Sequence, residues 1–235
     1  MKFLKLCKKA SREIIKLIHH SDISIFKKME KGFGGDISMK IDLIAEEIFI
    51  KSFKKYGNIF SEESGMINHN LNKTLIIDPI DGSFNISNSF PYYGSSIAVK
   101  NKRGKIIKAF IVNLATGDYF YKDKNIRIEN NLFIDKKSSP SLDEIILFEK
   151  SYANIDICEK LAQHKIKYRS PGALALSLAL GHKSKAVIFK GNIRDFDIAA
   201  GIYFNSHLNI KIKDNIILMS KNKKNFEYLK QILFK

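Results

Sequence analysis

Residues 75–86, Leu75-Ile76-Ile77-Asp78-Pro79-Ile80-Asp81-Gly82-Ser83-Phe84-Asn85-Ile86, set two carboxylates directly after three apolar residues that look like a buried strand. Carboxylates at the end of a core strand are expensive to desolvate, so they must protonate, pair with an arginine or coordinate a metal. No basic residue lies between Ile76 and Ser89. An all-oxygen ligand set suits Mg²⁺ or Mn²⁺ and leaves coordination positions for phosphate oxygens. Gly82 lets backbone approach a ligand closely, and a turn or helix opening at Gly82-Ser83 aims amides at an anion. These residues could therefore carry metal-assisted transfer of a phosphoryl group to water, a reaction that needs no nucleophilic Ser or Cys.

Further acids lie at a distance: Asp42, the pair Glu62-Glu63 within Phe60–Gly65, and Asp195 and Asp197 within Ile193–Gly201. Each cluster alone is weak evidence. An acidic pair in a loop is ordinarily a solvated turn, and Asp42 alone reads as a helix cap.

The elements that must position these residues follow from the apolar pattern. Phe3, Leu6, Cys7, Ala10, Ile14, Leu17 and Ile18 recur at helical spacing, and Ile41, Ile44, Ala45, Ile48, Phe49 and Phe53 do so again after glycine-rich 31–36, with Gly57 as a stop. Residues 75–77, 94–100, 106–114 and 119–121 read as strands separated by turns, which makes a mostly antiparallel sheet. The second half alternates: strands at 145–148, 186–189 and 216–219, and helices near 155–164, after Ser170-Pro171-Gly172, at 198–204 and at 223–233. The pattern predicts an α+β fold of layered helices and sheets, with subdomains at 1–125 and 126–235.

Composition bounds the rest. The chain has 235 residues, 45% hydrophobic with 17 Phe, enough for a real core. Its 40 Lys+Arg against 24 Asp+Glu give a formal charge of +16, which raises nucleic acid as a partner. Only five of the basic residues are Arg and the lysines are scattered, so a solvated Lys-rich surface is the better reading; it would still attract a small phosphorylated substrate. Cys7 and Cys158 form no CxxC pair, which argues against a zinc site or a disulfide framework. Charge interrupts the first twenty residues every few positions, so neither a signal peptide nor a membrane span is expected, and a cytoplasmic location is.

Asp78-Pro79-Ile80-Asp81-Gly82-Ser83-Phe84-Asn85 resembles the signature of the inositol monophosphatase superfamily, Mg²⁺-dependent, lithium-sensitive phosphatases. Glu62-Glu63 upstream and Asp197-Ile198-Ala199-Ala200-Gly201 downstream match its two other motifs in the right order. The resemblance implies a layered αβαβα sugar-phosphatase fold and a homodimer. It implies that Glu62, Asp78 and the Ile80 carbonyl hold one metal, that Asp78, Asp81 and Asp197 hold a second, and that a third ion shares Glu62. Asp42 and Ser83 would orient and deprotonate the attacking water, and the Gly82 and Ser83 amides would hold the phosphate.

Some positions depart from the family pattern. Ser83 stands for the usual Thr and keeps its hydroxyl; Phe196 replaces a Trp, Ile86 a Phe and Ser61 a Gly. Lys190 falls where inositol-specific members tend to carry a Glu, and a cation there suits a second anionic group. Arg194 is expected to act with it, and Arg169, Gly172 and Ala173 are expected to line the pocket. Glycine-rich 32–36 and residues 38–46 look most like archaeal members that hydrolyse inositol monophosphate and fructose-1,6-bisphosphate. Those two esters are the expected substrates, adenosine 3′,5′-bisphosphate is the alternative, and a catalytically silent nucleic-acid binder is an alternative of another class.

Overall fold

The computed structural model describes residues 2–135 and 141–234. Helix α1 (Lys2–His20) places Phe3, Cys7, Ala10 and Ile14 on one buried face, at the spacing that defines an amphipathic helix. A short hairpin follows, β1 (Lys28–Lys31) and β2 (Ile37–Met39), and leads straight into α2 (Lys40–Phe53).

The first sheet is built from β3 (Asn58–Ser61), β4 (Gly65–Ile67), β5 (Lys73–Asp81), and, after the five-residue helix α3 (Ser83–Ser87), β6 (Gly94–Asn101), β7 (Ile106–Asn113), β8 (Asp118–Lys122) and β9 (Arg127–Asn131). Its order is β4-β3-β5-β6-β7-β8-β9, antiparallel except for the β3/β5 pair. β9 lies beyond the expected division at 125 and still pairs with β8.

The second half contributes β10 (Leu142–Glu149), α4 (Ile155–Gln163), β11 (Tyr168–Arg169), α5 (Leu174–Ala179), β12 (Ser184–Lys190), α6 (Asp195–Phe204), β13 (Asn209–Lys213), β14 (Ile216–Ser220) and α7 (Lys223–Leu233). Its sheet has the order β11-β10-β12-β14-β13, parallel from β11 to β12 and antiparallel onward.

Period-two alternation splits each sheet's side chains between two cores. Ile59, Leu75, Ile77, Ile97 and Val99 face α1 and α2, while Ile76, Ala98, Ala109 and Ile111 face α5 and α6. In the second sheet Leu147, Val187, Phe189, Ile217 and Met219 also face α5 and α6, and Ile146, Phe148, Ala186 and Ile188 face α4 and α7. The layers therefore run helix, sheet, helix, sheet, helix, as the family resemblance implies.

The middle layer explains the composition of α5. All six of its residues, Leu-Ala-Leu-Ser-Leu-Ala, are buried because a sheet lies on each side, and a helix covered all round has no polar face.

One correction concerns β5. The apolar run predicts a strand that stops at Ile77, with the carboxylates beyond it; the strand instead runs to Asp81, and both acids lie within it. The ladder survives because Asp78 pairs with Ser96 and Asp81 with Gly94 across an irregular register. Pro79, which has no amide to donate, sits in that irregularity, and the Ser95 hydroxyl donates to its carbonyl at 2.6 Å. Among the described residues no helix is long and apolar enough to cross a membrane.

Candidate functional site

Three elements converge on one point. β3 runs parallel to β5 and delivers Glu62 just past its end, where the Glu62 amide donates to the Ile77 carbonyl at 3.1 Å. β5 carries Asp78 beside it, and the first turn of α6 supplies Asp197, held in place by the Ser96 hydroxyl on the Phe196 carbonyl at 2.9 Å. Ligand oxygens of Glu62, Asp78 and Asp197 lie within 4.8 Å of one another.

Asp78 is only 2% exposed, and its Oδ1 has no hydrogen-bond partner. A buried carboxylate oxygen left bare is costly unless a cation completes it. Burial foremost, then the charges of Glu62, Asp81 and Asp197, raises the Asp78 pKa well above the carboxylate range. Burial also lifts Glu62 to about 7, against the pull of the Arg194 guanidinium. Three crowded carboxylates, with an orphaned oxygen among them, fit an oxygen-ligated divalent cation.

Asp81 is placed differently. It is buried, and its pKa is raised, by burial first and then by Asp197 and Glu149. Both of its oxygens are engaged at the start of α5: Oδ1 accepts from the Leu174 amide at 3.1 Å, Oδ2 from Ala175 at 2.7 Å and Leu176 at 3.3 Å. It is thus a helix cap as well as a candidate ligand, and it lies outside the three-acid cluster.

Asp42, at the start of α2, and Ser83, at the start of α3, meet as expected. The Ser83 hydroxyl lies 2.9 Å from Asp42 Oδ1 and 3.0 Å from the Ile80 carbonyl, and the Met39 amide donates to Asp42 Oδ2 at 2.6 Å. Burial raises the Asp42 pKa to about 7, with Glu63 adding to the rise and the Met39 and Ser83 bonds opposing it. A carboxyl that changes charge near neutrality is suited to proton transfer.

Gly82 precedes α3 with φ +94°, and a Cβ there would sit 3.1 Å from the Tyr92 carbonyl oxygen and 3.2 Å from the Ala173 Cβ. Glycine is the residue that tolerates this conformation. The first amides of α3 have no partner within the helix.

These groups line a cavity of about 410 Å³ together with Gly172, Lys28, Lys150 and Tyr152. Three of the expected substrate residues are not among its lining. Arg169 is exposed and donates to the Tyr168 carbonyl, Ala173 is fully buried behind Gly82, and Lys190 pairs with Asp156 at 2.8 Å in the first turn of α4. Arg194 does line the cavity, but its guanidinium is held by acids of the site.

Sequence reasoning missed Lys28, Lys150 and Tyr152, and also Glu149. Glu149 ends β10, accepts from the Gly172 amide at 2.9 Å and from the Ser177 hydroxyl, and is pushed up in pKa mainly by burial. Its signal was available: Ile145-Ile146-Leu147-Phe148-Glu149 repeats the apolar-run-then-acid pattern of Leu75-Ile76-Ile77-Asp78. Phe196 packs on Phe60 with ring centroids 4.7 Å apart, so it keeps an aromatic at its position. The buried Ser61 hydroxyl has no partner, and nothing in the structure explains it.

The sequence pattern of the inositol monophosphatase family matches residues 3–203. The fructose-1,6-bisphosphatase of Pyrococcus furiosus is 28% identical over 187 residues, covering 77% of this chain and 71% of its own length. The fructose-1,6-bisphosphatase/inositol-1-monophosphatase of Methanothermobacter thermautotrophicus is 27% identical over 222 residues, covering 84% and 77%. A solved inositol monophosphatase-fructose 1,6 bisphosphatase superposes with a TM-score of 0.79 at 24% identity, covering 99% of this chain and all of that one, which extends the likeness to the whole fold.

Proposed function

This chain belongs to the inositol monophosphatase family, and on that footing we propose that its cavity hydrolyses a sugar or inositol phosphate with Mg²⁺ as cofactor, using Glu62, Asp78, Asp81, Asp197 and the Ile80 carbonyl to hold the ions. The chain is a phosphatase, as its relatives are named. The observation that carries the metal assignment is the bare Asp78 oxygen inside the Glu62–Asp78–Asp197 cluster. Bound divalent ions supply Lewis-acid activation of a water and offset the negative charge that builds on the ester oxygens.

The chain's own residues do the rest. Asp42 takes the water's proton, with the Ser83 hydroxyl fixing the carboxylate that receives it, and both lie at one wall of the cavity. The Gly82 and Ser83 amides at the mouth of α3 bind the phosphate, which the left-handed Gly82 backbone allows to come close.

The leaving group is read by other residues of the cavity. Lys28 and Lys150 line the cavity and neither makes a salt bridge among the described residues, the Lys150 ammonium lying over the Phe189 ring at 5.7 Å, whereas Lys190 is neutralised by Asp156. Lys150 is held in the left-handed region at φ 56°, with its carbonyl accepting from the Asn154 side chain at 2.8 Å. Lys28 and Lys150, not Lys190, therefore suit a second anionic group, and fructose-1,6-bisphosphate is the favoured ester.

Phosphate release tests this, with inositol-1-phosphate, fructose-1,6-bisphosphate and adenosine 3′,5′-bisphosphate compared in Mg²⁺, in Mn²⁺ and in chelator. We expect metal-dependent release, fastest from fructose-1,6-bisphosphate. Lys150→Gln should raise KM for that ester about tenfold or more, as loss of one charge-assisted bond would, and leave KM for inositol-1-phosphate unchanged. Release that persists in chelator would overturn the metal assignment. Equal effects of Lys150→Gln on both esters would overturn the assignment of the second anion.

A further inference from the structure

Asn154 stands at the N-terminal cap of α4, where an asparagine side chain ordinarily accepts a hydrogen bond from the second or third amide of its helix. Here it makes no such bond. Its Nδ2 donates instead to the Lys150 carbonyl at 2.8 Å and to the Lys190 carbonyl at 3.0 Å. Asn222, at the cap of α7, shows the ordinary use, its Oδ1 accepting from the Asn225 amide at 3.0 Å. Asn154 is buried, so water does not replace either bond when the side chain is removed.

The two carbonyls belong to the ends of two neighbouring strands. Lys150 directly follows β10, and Lys190 is the last residue of β12, which pairs with β10 in parallel. Between Lys150 and Asn154 lies a single helical turn, Ser151–Ala153. Lys150 and Tyr152 line the cavity, whereas Asn154 and Lys190 lie outside its lining. The fastening is therefore behind the loop and the cation is in front.

The start of α4 holds this loop at further points. The Cys158 thiol donates to the Ser151 carbonyl at 3.3 Å, and Asp156 pairs with the Lys190 ammonium at 2.8 Å. Lys190 is thus gripped twice, once by its carbonyl and once by its ammonium. Lys150 has φ 56°, a left-handed conformation that a residue with a Cβ keeps only when its surroundings hold it there. The Asn154 side chain and the Ala153 amide, both donating to the Lys150 carbonyl, supply that hold.

We propose that Asn154 is a positioning residue for recognition of the leaving group: by bridging the Lys150 and Lys190 carbonyls it ties the loop after β10 to the end of β12, and so fixes where the Lys150 side chain enters the cavity. Asn154 itself touches no substrate, and Lys190 serves as the anchor. The proposal rests on Lys150 reading the second anionic group of the ester.

The test is a double-mutant cycle on the full chain. KM and kcat are measured in saturating Mg²⁺ for fructose-1,6-bisphosphate and inositol-1-phosphate, in the parent chain, Asn154→Ala, Lys150→Gln and the double variant. Asn154→Ala should raise KM for the bisphosphate, relative to that for inositol-1-phosphate, about threefold to tenfold, the range that loss of a buried hydrogen bond covers. The effect should fall on KM and not on kcat, because binding common to ground and transition states is what is lost. In the Lys150→Gln background the same substitution should change the ratio by less than about twofold, since a residue that acts through Lys150 then has nothing to position.

Asn154→Ser is the second variant, read by the same cycle if Asn154→Ala does not fold; its hydroxyl keeps one donor, so the ratio should shift in the same direction by less. A merely structural Asn154 would lower Tm and act on both esters alike. Equal KM changes for the two esters, or additive effects in the double variant, would therefore overturn the proposal. If Lys150→Gln itself leaves the ratio unchanged, the reading of the second anion fails and the proposal with it, a result distinguishable because it appears without any change at Asn154. No release from either ester by the parent chain would overturn the proposed function on which both stand.

Discussion

Replacing Asp78 by Asn separates what this carboxylate does for function from what it does for stability, because the two effects have opposite signs. Asp78 shares its burial with Glu62 and Asp197, whose oxygens lie within 4.8 Å. Two unit charges at that distance, at an effective dielectric of 20, repel by about 3.5 kcal/mol. Proton uptake relieves part of this in the metal-free protein, since burial and neighbouring charge already raise the Asp78 pKa. No bond is lost in exchange at Oδ1, which has no partner. The expected gain is therefore about 2 kcal/mol in chelator at pH 8, or about 4–8 °C in Tm for a chain of this size. In Mg²⁺ at one hundred times Kd the parent chain should gain about 2.7 kcal/mol and the variant nothing, so the order of melting reverses. Asp81→Asn is the control, since it disrupts hydrogen bonds from three backbone amides at the start of α5 and should destabilise the chain by about 1–3 kcal/mol with or without metal. Scanning calorimetry of the three proteins decides the matter. If Asp78→Asn melts below the parent chain in chelator, the cluster is not held together against repulsion and does not call for a cation.

Two further outcomes follow from the same geometry. Ser83→Ala removes the hydroxyl from Asp42 at a stability cost of about 1 kcal/mol, yet kcat should fall by about 10²–10⁴ and recover in Ser83→Thr; a loss below tenfold would remove Ser83 from the proton path. Burial raises Asp42 and Glu62 to about 7, so in each the folded state favours the proton-bound form, and its contribution to stability is complete below about pH 4 and lost as pH rises through 7. In chelator, Tm should accordingly fall between pH 5.5 and 8, and saturating Mg²⁺ should flatten that slope; a Tm that rises over this interval contradicts the burial of these acids.

The sequence made the layers legible where burial imposes a period. α1, α2 and the strands from β6 to β8 were readable because each buries one face or one stripe. α5 was readable for the opposite reason, being apolar all round between two sheets. Strands without a buried face escaped. β1 is exposed at every position, β9 reads Arg-Ile-Glu-Asn-Asn, and β13 reads Asn-Ile-Lys-Ile-Lys at the edge of its sheet, where charge is what keeps an edge from pairing further. β5 was cut short at Ile77 because acids and a proline end an apolar run in any pattern reading, while backbone pairing to β6 continues regardless of what the side chains are.

The site divides along the same line. Carboxylates that need a cation stand out locally, since nothing nearby neutralises them; which cations are free to act does not, because that depends on partners far away in sequence. Lys190 looked available until Asp156, on a separate helix, was found to hold it, and Arg194 looked available for substrate until Glu62 and Asp36 claimed it. Lys150 carries no pattern at all and is set apart only by where the chain after β10 turns.

The placement of α5 shows how two sheets make one site. Asp81, at the end of a strand in the first sheet, holds the amides of Leu174, Ala175 and Leu176. Glu149, at the end of a strand in the second, holds the Gly172 amide and the Ser177 hydroxyl. The two buried acids thus grip the same turn of chain from opposite layers. Asn85 joins them from α3, its side-chain amide donating to the Pro171 carbonyl at 2.7 Å and to Tyr92 at 2.6 Å. Gly172, which forms part of the cavity wall, is consequently fixed relative to Asp78 and Ser83 by bonds that cross between the sheets, and the spacing between the acidic cluster and that wall is set by helix α5 rather than by any loop.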